Sequence, residues 1–293
     1  MRSAQNGKSI PFKVTIFYIA MYMITSLILG LIQGLAEFLP ISSSGHLALG
    51  EYLMKFKGAG LLFDVMLHVG TLAAVFVVFR KQIWALIAGC CKRDKEQLRY
   101  ALFIILATIP TGIIGLGLKD PIETLFRNPR YVCVALLVTG ALLFFTQWAK
   151  TGSRHPDATP RPMNWWRAIL VGIVQGIATI PGISRSGSTI SSMLYIGTDR
   201  KFAGEFSFIM SLPAVGGAAL LEFLDWFKCR GIVSDACAEV GSIDAGLIAG
   251  MAVAFVSGIV ALKWLMSFVQ KGKLHYFAYY VWAVGILGLI FIR

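Results

Sequence analysis

The sequence predicts an all-α polytopic membrane protein, an inverted-topology repeat of six transmembrane helices plus two re-entrant helix-loop-helix hairpins. Three observations lead there. Of 293 residues, 57% are hydrophobic and 14% charged, and the mean hydropathy is +0.72; soluble domains carry roughly a quarter charged residues. The stretch Gly30 to His46, GLIQGLAEFLPISSSGH, recurs 142 positions later as Gly172 to Ser188, GIVQGIATIPGISRSGS, with eight of seventeen positions identical and no gap, which marks an internal duplication. Both copies are apolar segments broken by Pro, Gly and Ser, at Leu39 to Gly45 and Pro181 to Gly187. Backbone freed at such a break cannot face lipid and must be buried in protein or line a wet cavity.

At the N-terminus, Arg2, Lys8 and Lys13 precede an apolar run with no small-residue cleavage site, so the segment is expected to be retained, with residues 1–20 an extension. The remainder reads as one integral membrane domain, 1–293, made of halves at about 14–149 and 165–293. The first broken segment comes at once, followed by runs long enough to cross a bilayer, which takes about 17 to 25 residues: Leu61 to Phe79, Tyr100 to Leu118 and Tyr131 to Ala149. After the second broken segment come Ala203 to Leu224, Ala245 to Leu262 and Tyr276 to Ile292. Glycines at 30, 34 and 45 and at 172 and 176 suit close helix packing, whereas Gly182 and Gly187 belong to the second break.

Basic links fix the faces. Arg80 to Arg99, Lys150 to Arg167 and the turn with Lys271 and Lys273 should be cytoplasmic, leaving Lys119 to Arg130 and the acidic Asp225 to Asp244 loop outside. Three spans lie in each half, so the halves are expected to insert upside down relative to each other, with the site at the broken helices. The basic N-terminus runs against this charge rule. The net charge of +12 sits mainly in these links, which points to topology and lipid headgroups and away from nucleic acid. Trp165, Trp166, Tyr276, Tyr279 and Tyr280 read as interfacial belts. Five cysteines show no metal spacing, while Cys229 and Cys237 share a polar loop where a bridge forms if it faces an oxidising compartment.

Ionisable groups inside membrane segments are costly and point to function; here they are Glu37, His46, Asp64, His68, Arg185 and Glu205. Arg185 lies in a Gly-flanked turn with Ser184, Ser186, Ser188 and Thr189, a setting that suits a phosphate, whose oxygens match the guanidinium fork. The alternative is a structural pairing of Arg185 with a buried carboxylate such as Glu37. In the first copy, Glu37, Ser42, Ser43, Ser44 and His46 supply an acid, three hydroxyls and an imidazole. Gln33 and Glu37, four apart, share a helix face and could hold a hard divalent cation through oxygen. The nucleophile stays open between Ser43 activated by His46, His46 itself and water. Asp64 and Glu205, 141 apart, are expected to pair with hairpin backbone or with Arg185, and His68 to be an interhelical hydrogen-bonding group.

Gln33, Glu37, Pro40, Ser42, Ser43, Ser44, Gly45 and His46, together with Pro181, Gly182, Ser184, Arg185, Ser186 and Thr189, form two motifs that resemble those of the undecaprenyl-diphosphate phosphatase family, the BacA type associated with bacitracin resistance. The likeness continues through Gly204 to Phe208, GEFSF, and in span pattern covers nearly all the chain after about residue 21. The resemblance implies hydrolysis of undecaprenyl diphosphate to the monophosphate carrier lipid of peptidoglycan synthesis, in the bacterial cytoplasmic (inner) membrane, with the site reached from the outer, periplasmic side. It implies a catalytic set of Ser43, His46, Glu37 and Arg185, phosphate contacts from Arg185, Ser184, Ser186, Thr189, Ser42 and Ser44, and a cation, Mg2+ or Ca2+, at Glu37 and Gln33. Gln33 departs from the Glu of many members. Expected partners are the polyprenyl diphosphate and the bilayer, with a homodimer an open possibility. The competing reading is a transporter or flippase of polyprenyl phosphate or another anion, since broken-helix repeats also build carriers.

Overall fold

A computed structural model describes residues 12–54, 60–118, 121, 125, 128–149, 161–229 and 244–292. Among them the chain forms helices joined by turns, without strands. The helices are α1 (Phe12–Phe38), α2 (Ser43–Met54), α3 (Gly60–Val78), α4 (Arg80–Cys91), α5 (Lys95–Gly117), α6 (Pro129–Phe145), α7 (Trp165–Ile177), α8 (Arg185–Tyr195), α9 (Arg200–Cys229), α10 (Ala245–Gln270) and α11 (Tyr276–Phe291). Five of the described helices are long and apolar enough to cross a membrane, six if the bent pair α3–α4 counts as one. The six runs expected as spans each fall on a helix, α3, α5, α6, α9, α10 and α11, but α11, with 16 residues, is among the shorter apolar helices, while α1 is among the five.

Helix starts follow local chemistry. Asp94 caps α5 through the N–H groups of Glu96 and Gln97, Asn128 caps α6, Asn164 caps α7 and Asp244 caps α10. Each side-chain oxygen satisfies a donor that the first helical turn leaves unpaired.

Two elements differ from expectation. The first arm of copy one is no short re-entrant piece: α1 has 27 residues, about 40 Å at 1.5 Å per residue. Nothing breaks its apolar run before Pro40. The second copy keeps hairpin proportions, with arms of 13 and 11 residues, about 20 and 16 Å. The basic link after α3 is itself helical. There α4 bends 74° away from α3, buries no residue, and exposes Trp84 and Ile87 beside Arg80 and Lys81, the composition of a helix lying in a membrane interface.

Packing interlaces the two halves. Helix α1 lies on α10, α6 on α11, α5 on α7, and α3 on both α10 and α9. The repeated glycines allow the closest approaches: a Cβ on Gly30 would stand 2.3 Å from the Gly250 carbonyl oxygen, and one on Gly172 would stand 2.2 Å from that of Ala107. The core around the hairpins includes Phe38, Leu136, Ile190, Met193, Phe206 and Phe208, all nearly inaccessible.

Candidate active site

The two breaks form matching turns that touch. In copy one, the Ser42 hydroxyl accepts from the Gly45 N–H at 3.3 Å; in copy two, Ser184 does the same for Gly187 at 3.1 Å, so each serine caps the helix that follows. Ser42 takes a left-handed backbone, φ 70°, unusual for a residue with a Cβ. Its position is held from three sides: its carbonyl accepts from the His46 N–H, and its hydroxyl accepts from Gly45 and, across the repeat, from the Gly182 N–H at 3.2 Å. Gly182 is itself left-handed at φ +92°, and a Cβ there would stand 2.4 Å from the Val132 carbonyl. Thr139, on α6, completes the clasp by donating to the Gly182 carbonyl (2.8 Å) and accepting from the Ser184 N–H (3.0 Å).

Above this clasp lies a carboxylate ringed by donors. Glu37, at the end of α1, has a side chain only 8% exposed. Its Oε1 accepts from Arg185 Nη2 at 2.5 Å, and its Oε2 accepts from Ser43 Oγ at 2.5 Å and from Gln33 Nε2 at 3.2 Å. His68 Nε2, on α3, stands 3.9 Å from the same Oε2. An acid of the first copy and the cation of the second therefore form one buried, charge-assisted pair. Arg185 keeps a further capacity, because its buried Nη1 has no hydrogen-bond partner, and neither has the buried Ser188 hydroxyl. Unsatisfied buried donors are expensive, and at a Gly-flanked turn opening a helix they suit an incoming anion.

The remaining expected residues separate into those near this ring and those turned from it. Ser43 is on it. Ser44, half-buried, lies 3.4 Å from the Ser42 hydroxyl. Ser42, Ser184 and Ser186 are buried and occupied with the turns, Ser186 lying 3.4 Å from Ser184. Thr189 is fully buried, donating to the Arg185 carbonyl at 2.8 Å and lying 2.6 Å from the Ser207 hydroxyl, so it braces the turn from behind. His46 faces elsewhere. Its Nδ1–H donates to the Ser42 carbonyl at 2.9 Å, its Nε2 accepts from the Tyr280 hydroxyl at 2.9 Å, and the two rings stack at 5.6 Å. The imidazole beside the carboxylate is His68, read from sequence as an interhelical group, and Tyr280, read as part of a belt, is also the partner of His46.

Glu205 also lies away from Arg185: it pairs with Lys201 at 4.0 Å, one turn back on α9. The side chains of Asp64 and Cys229, and all of Cys237, lie outside the described residues. Cys90, Cys91 and Cys133 are free thiols. No group of three His, Cys, Asp or Glu side chains with metal-holding geometry occurs among the described residues. At the expected cation position both Glu37 oxygens already accept from protein donors, and one acceptor, Gln33 Oε1, is buried without a partner. That donor set falls short of the six or so oxygens a hard divalent ion takes.

Comparison with known proteins identifies the family. The family described as bacitracin resistance protein BacA matches residues 26–287. Undecaprenyl-diphosphatase of Desulfatibacillum aliphaticivorans is 42% identical over 287 residues, covering 92% of this chain and 99% of that protein. The enzymes of the same name from Treponema denticola, 43% identical over 277 residues, and Alkaliphilus metalliredigens, 41% over 282, cover 92% and 91% of this chain and 97% of their own lengths. With a family match running from α1 through α11 and containing both broken helices, the chain belongs to the bacitracin resistance protein BacA family.

Proposed function

We propose that this protein hydrolyses undecaprenyl diphosphate to undecaprenyl phosphate and inorganic phosphate, recycling a carrier lipid in the membrane. The observation that carries the reading at the site is the split use of Arg185: Nη2 holds Glu37 while buried Nη1 is unpartnered. A guanidinium so placed binds a phosphate oxygen without giving up the carboxylate. The apolar helices receive the prenyl chain, and the charged head meets the two touching turns.

Ser43 is the nucleophile this geometry favours, with Glu37 as its base. The Ser43 proton already points at Glu37 Oε2. As Oγ bonds to the terminal phosphorus, that proton passes to Glu37 and the bond from phosphorus to the bridging oxygen breaks, with lipid monophosphate leaving. Water then cleaves the seryl phosphate, releasing inorganic phosphate and returning the proton to Ser43. Positioning and charge neutralisation carry most of such a transfer. In place of the expected activation by His46, the acid of the same copy serves, because both His46 ring nitrogens are engaged at Ser42 and Tyr280.

A divalent cation would be held by Gln33 Oε1 and Glu37 together with oxygens of the diphosphate. Its chemistry would be to neutralise phosphate charge. The enzyme resides in the bacterial inner membrane with the site facing outward and its halves oppositely inserted, a reading supported by the basic links around α4, before α7 and after α10.

The test is phosphate release from a polyprenyl diphosphate by purified protein in detergent, where no two compartments exist for a carrier to work between. Wild type should release phosphate. Arg185→Lys, which keeps a charge for Glu37 but loses the fork, should lose about a hundredfold or more of the rate, the size of one removed transition-state donor. A wild type without phosphate release overturns the enzyme reading, and a near-normal Arg185→Lys overturns the phosphate role of Arg185.

A further inference from the structure

We propose that His68 is a substrate-contacting residue: beside Glu37 Oε2, as Arg185 is beside Oε1, its imidazole N–H donates to the terminal phosphate as charge builds on it. The inference rests on the phosphatase reading above and adds a residue that neither motif contains. Sequence alone places His68 on a span, one turn beyond Asp64, with nothing to connect it to the broken helices. Packing does so: α3 lies against α10, α9 and α1, which brings His68 Nε2 to 3.9 Å from Glu37 Oε2.

Three features argue for a contact with substrate and against simple support of Glu37. The separation from Oε2 exceeds hydrogen-bond length, and Oε2 already accepts from Ser43 and Gln33. The His68 side chain is 32% exposed while that of Glu37 is 8% exposed, so the imidazole is the more accessible of the two groups. Among the described residues, Arg185 and His68 are the only Arg, Lys or His side chains within 4.0 Å of Glu37. A phosphate entering beside that carboxylate meets its negative charge. Arg185 pairs with Oε1 alone, whereas phosphoryl transfer spreads charge over three equatorial oxygens and is served by donors placed around them. His68 supplies a second donor, at the Glu37 oxygen that Ser43 also approaches and Arg185 does not.

The experiment compares His68→Ala, His68→Gln and wild type, each purified in detergent, for kcat and KM on a polyprenyl diphosphate and for inhibition by methylenediphosphonate, a diphosphate that cannot be hydrolysed. His68→Ala should lower kcat/KM about tenfold to a hundredfold and weaken inhibition, and His68→Gln, which keeps an N–H donor, should recover most of both. Unchanged kcat/KM in His68→Ala overturns the proposal. So does a loss with unchanged inhibition constant and KM and a lowered melting temperature, the pattern of a structural residue. Arg185→Lys in the same assay separates the two levels: if it is impaired while His68→Ala is normal, the phosphatase site stands and His68 has no part in it.

Discussion

At the scale of single residues, the site reduces to one carboxylate and what surrounds it. Ser43→Ala removes the group nearest Glu37 Oε2, and phosphate release should fall about a hundredfold or more, the worth of a nucleophile and its base; a rate within threefold of wild type would hand the attack to water. His46→Ala should also lower the rate, but through geometry. It removes the imidazole bond to the Ser42 carbonyl, leaving only the backbone N–H of residue 46 there, and loosens the φ 70° turn. A useful contrast is Tyr280→Phe, which removes only the outer partner of His46 and should retain most activity, measured in the same assay; loss equal to that of His46→Ala would show that the Tyr280 hydroxyl is what matters. The meeting of Arg185 and Glu37, 148 residues apart, was legible in the sequence because duplication made the two turns partners and their differences complementary. The direction of His46 was not, since the phase of α2 is set by a left-handed serine that composition does not reveal. Nor were His68, Thr139 and Tyr280, which reach the site from α3, α6 and α11 by packing alone.

Among the elements, the two copies share a turn and diverge in their arms. Copy two is a short hairpin, while copy one begins with a helix of full membrane length. Its break was readable from Pro40 and the serines, and its length was misread because a break marks where a helix ends and says nothing about where it began. Close backbone contact at Gly30 and Gly172 makes both arms intolerant of bulk. Gly172→Leu should shift α7 off α5 and cut the yield of folded protein in size-exclusion chromatography, with activity per folded molecule also reduced because α7 carries the chain into the Gly182 turn. Normal yield and rate would show that the 2.2 Å approach to Ala107 yields without cost. Thr139→Ala offers a milder probe. Losing one buried hydroxyl with two partners should cost about 1–3 kcal/mol of stability and lower the melting temperature, and an unchanged melting temperature would mean that the clasp is redundant.

For the whole molecule, the donor set near Glu37 has a consequence that is easily measured. Because the described residues around Glu37 offer too few free oxygens for a hard cation, chelator should leave the melting temperature of substrate-free protein unchanged while lowering turnover wherever the cation arrives with the diphosphate. A clear drop in melting temperature on chelation would reveal a resident ion. Class and membrane character were evident from hydropathy alone, whereas the interlacing of halves was not, since periodic apolar runs say which helices span and leave their neighbours open.

That interlacing bears on how the chain could ever be taken apart. Since α1, α3, α5 and α6 find their main neighbours among α7, α9, α10 and α11, neither fragment from a cut within 150–160 would carry a finished interior. Made separately, each should be degraded and inert; made together in one cell, they should reassemble and restore growth to a strain starved of carrier lipid. A polypeptide of this kind behaves less like two modules in tandem than like two strands of one rope.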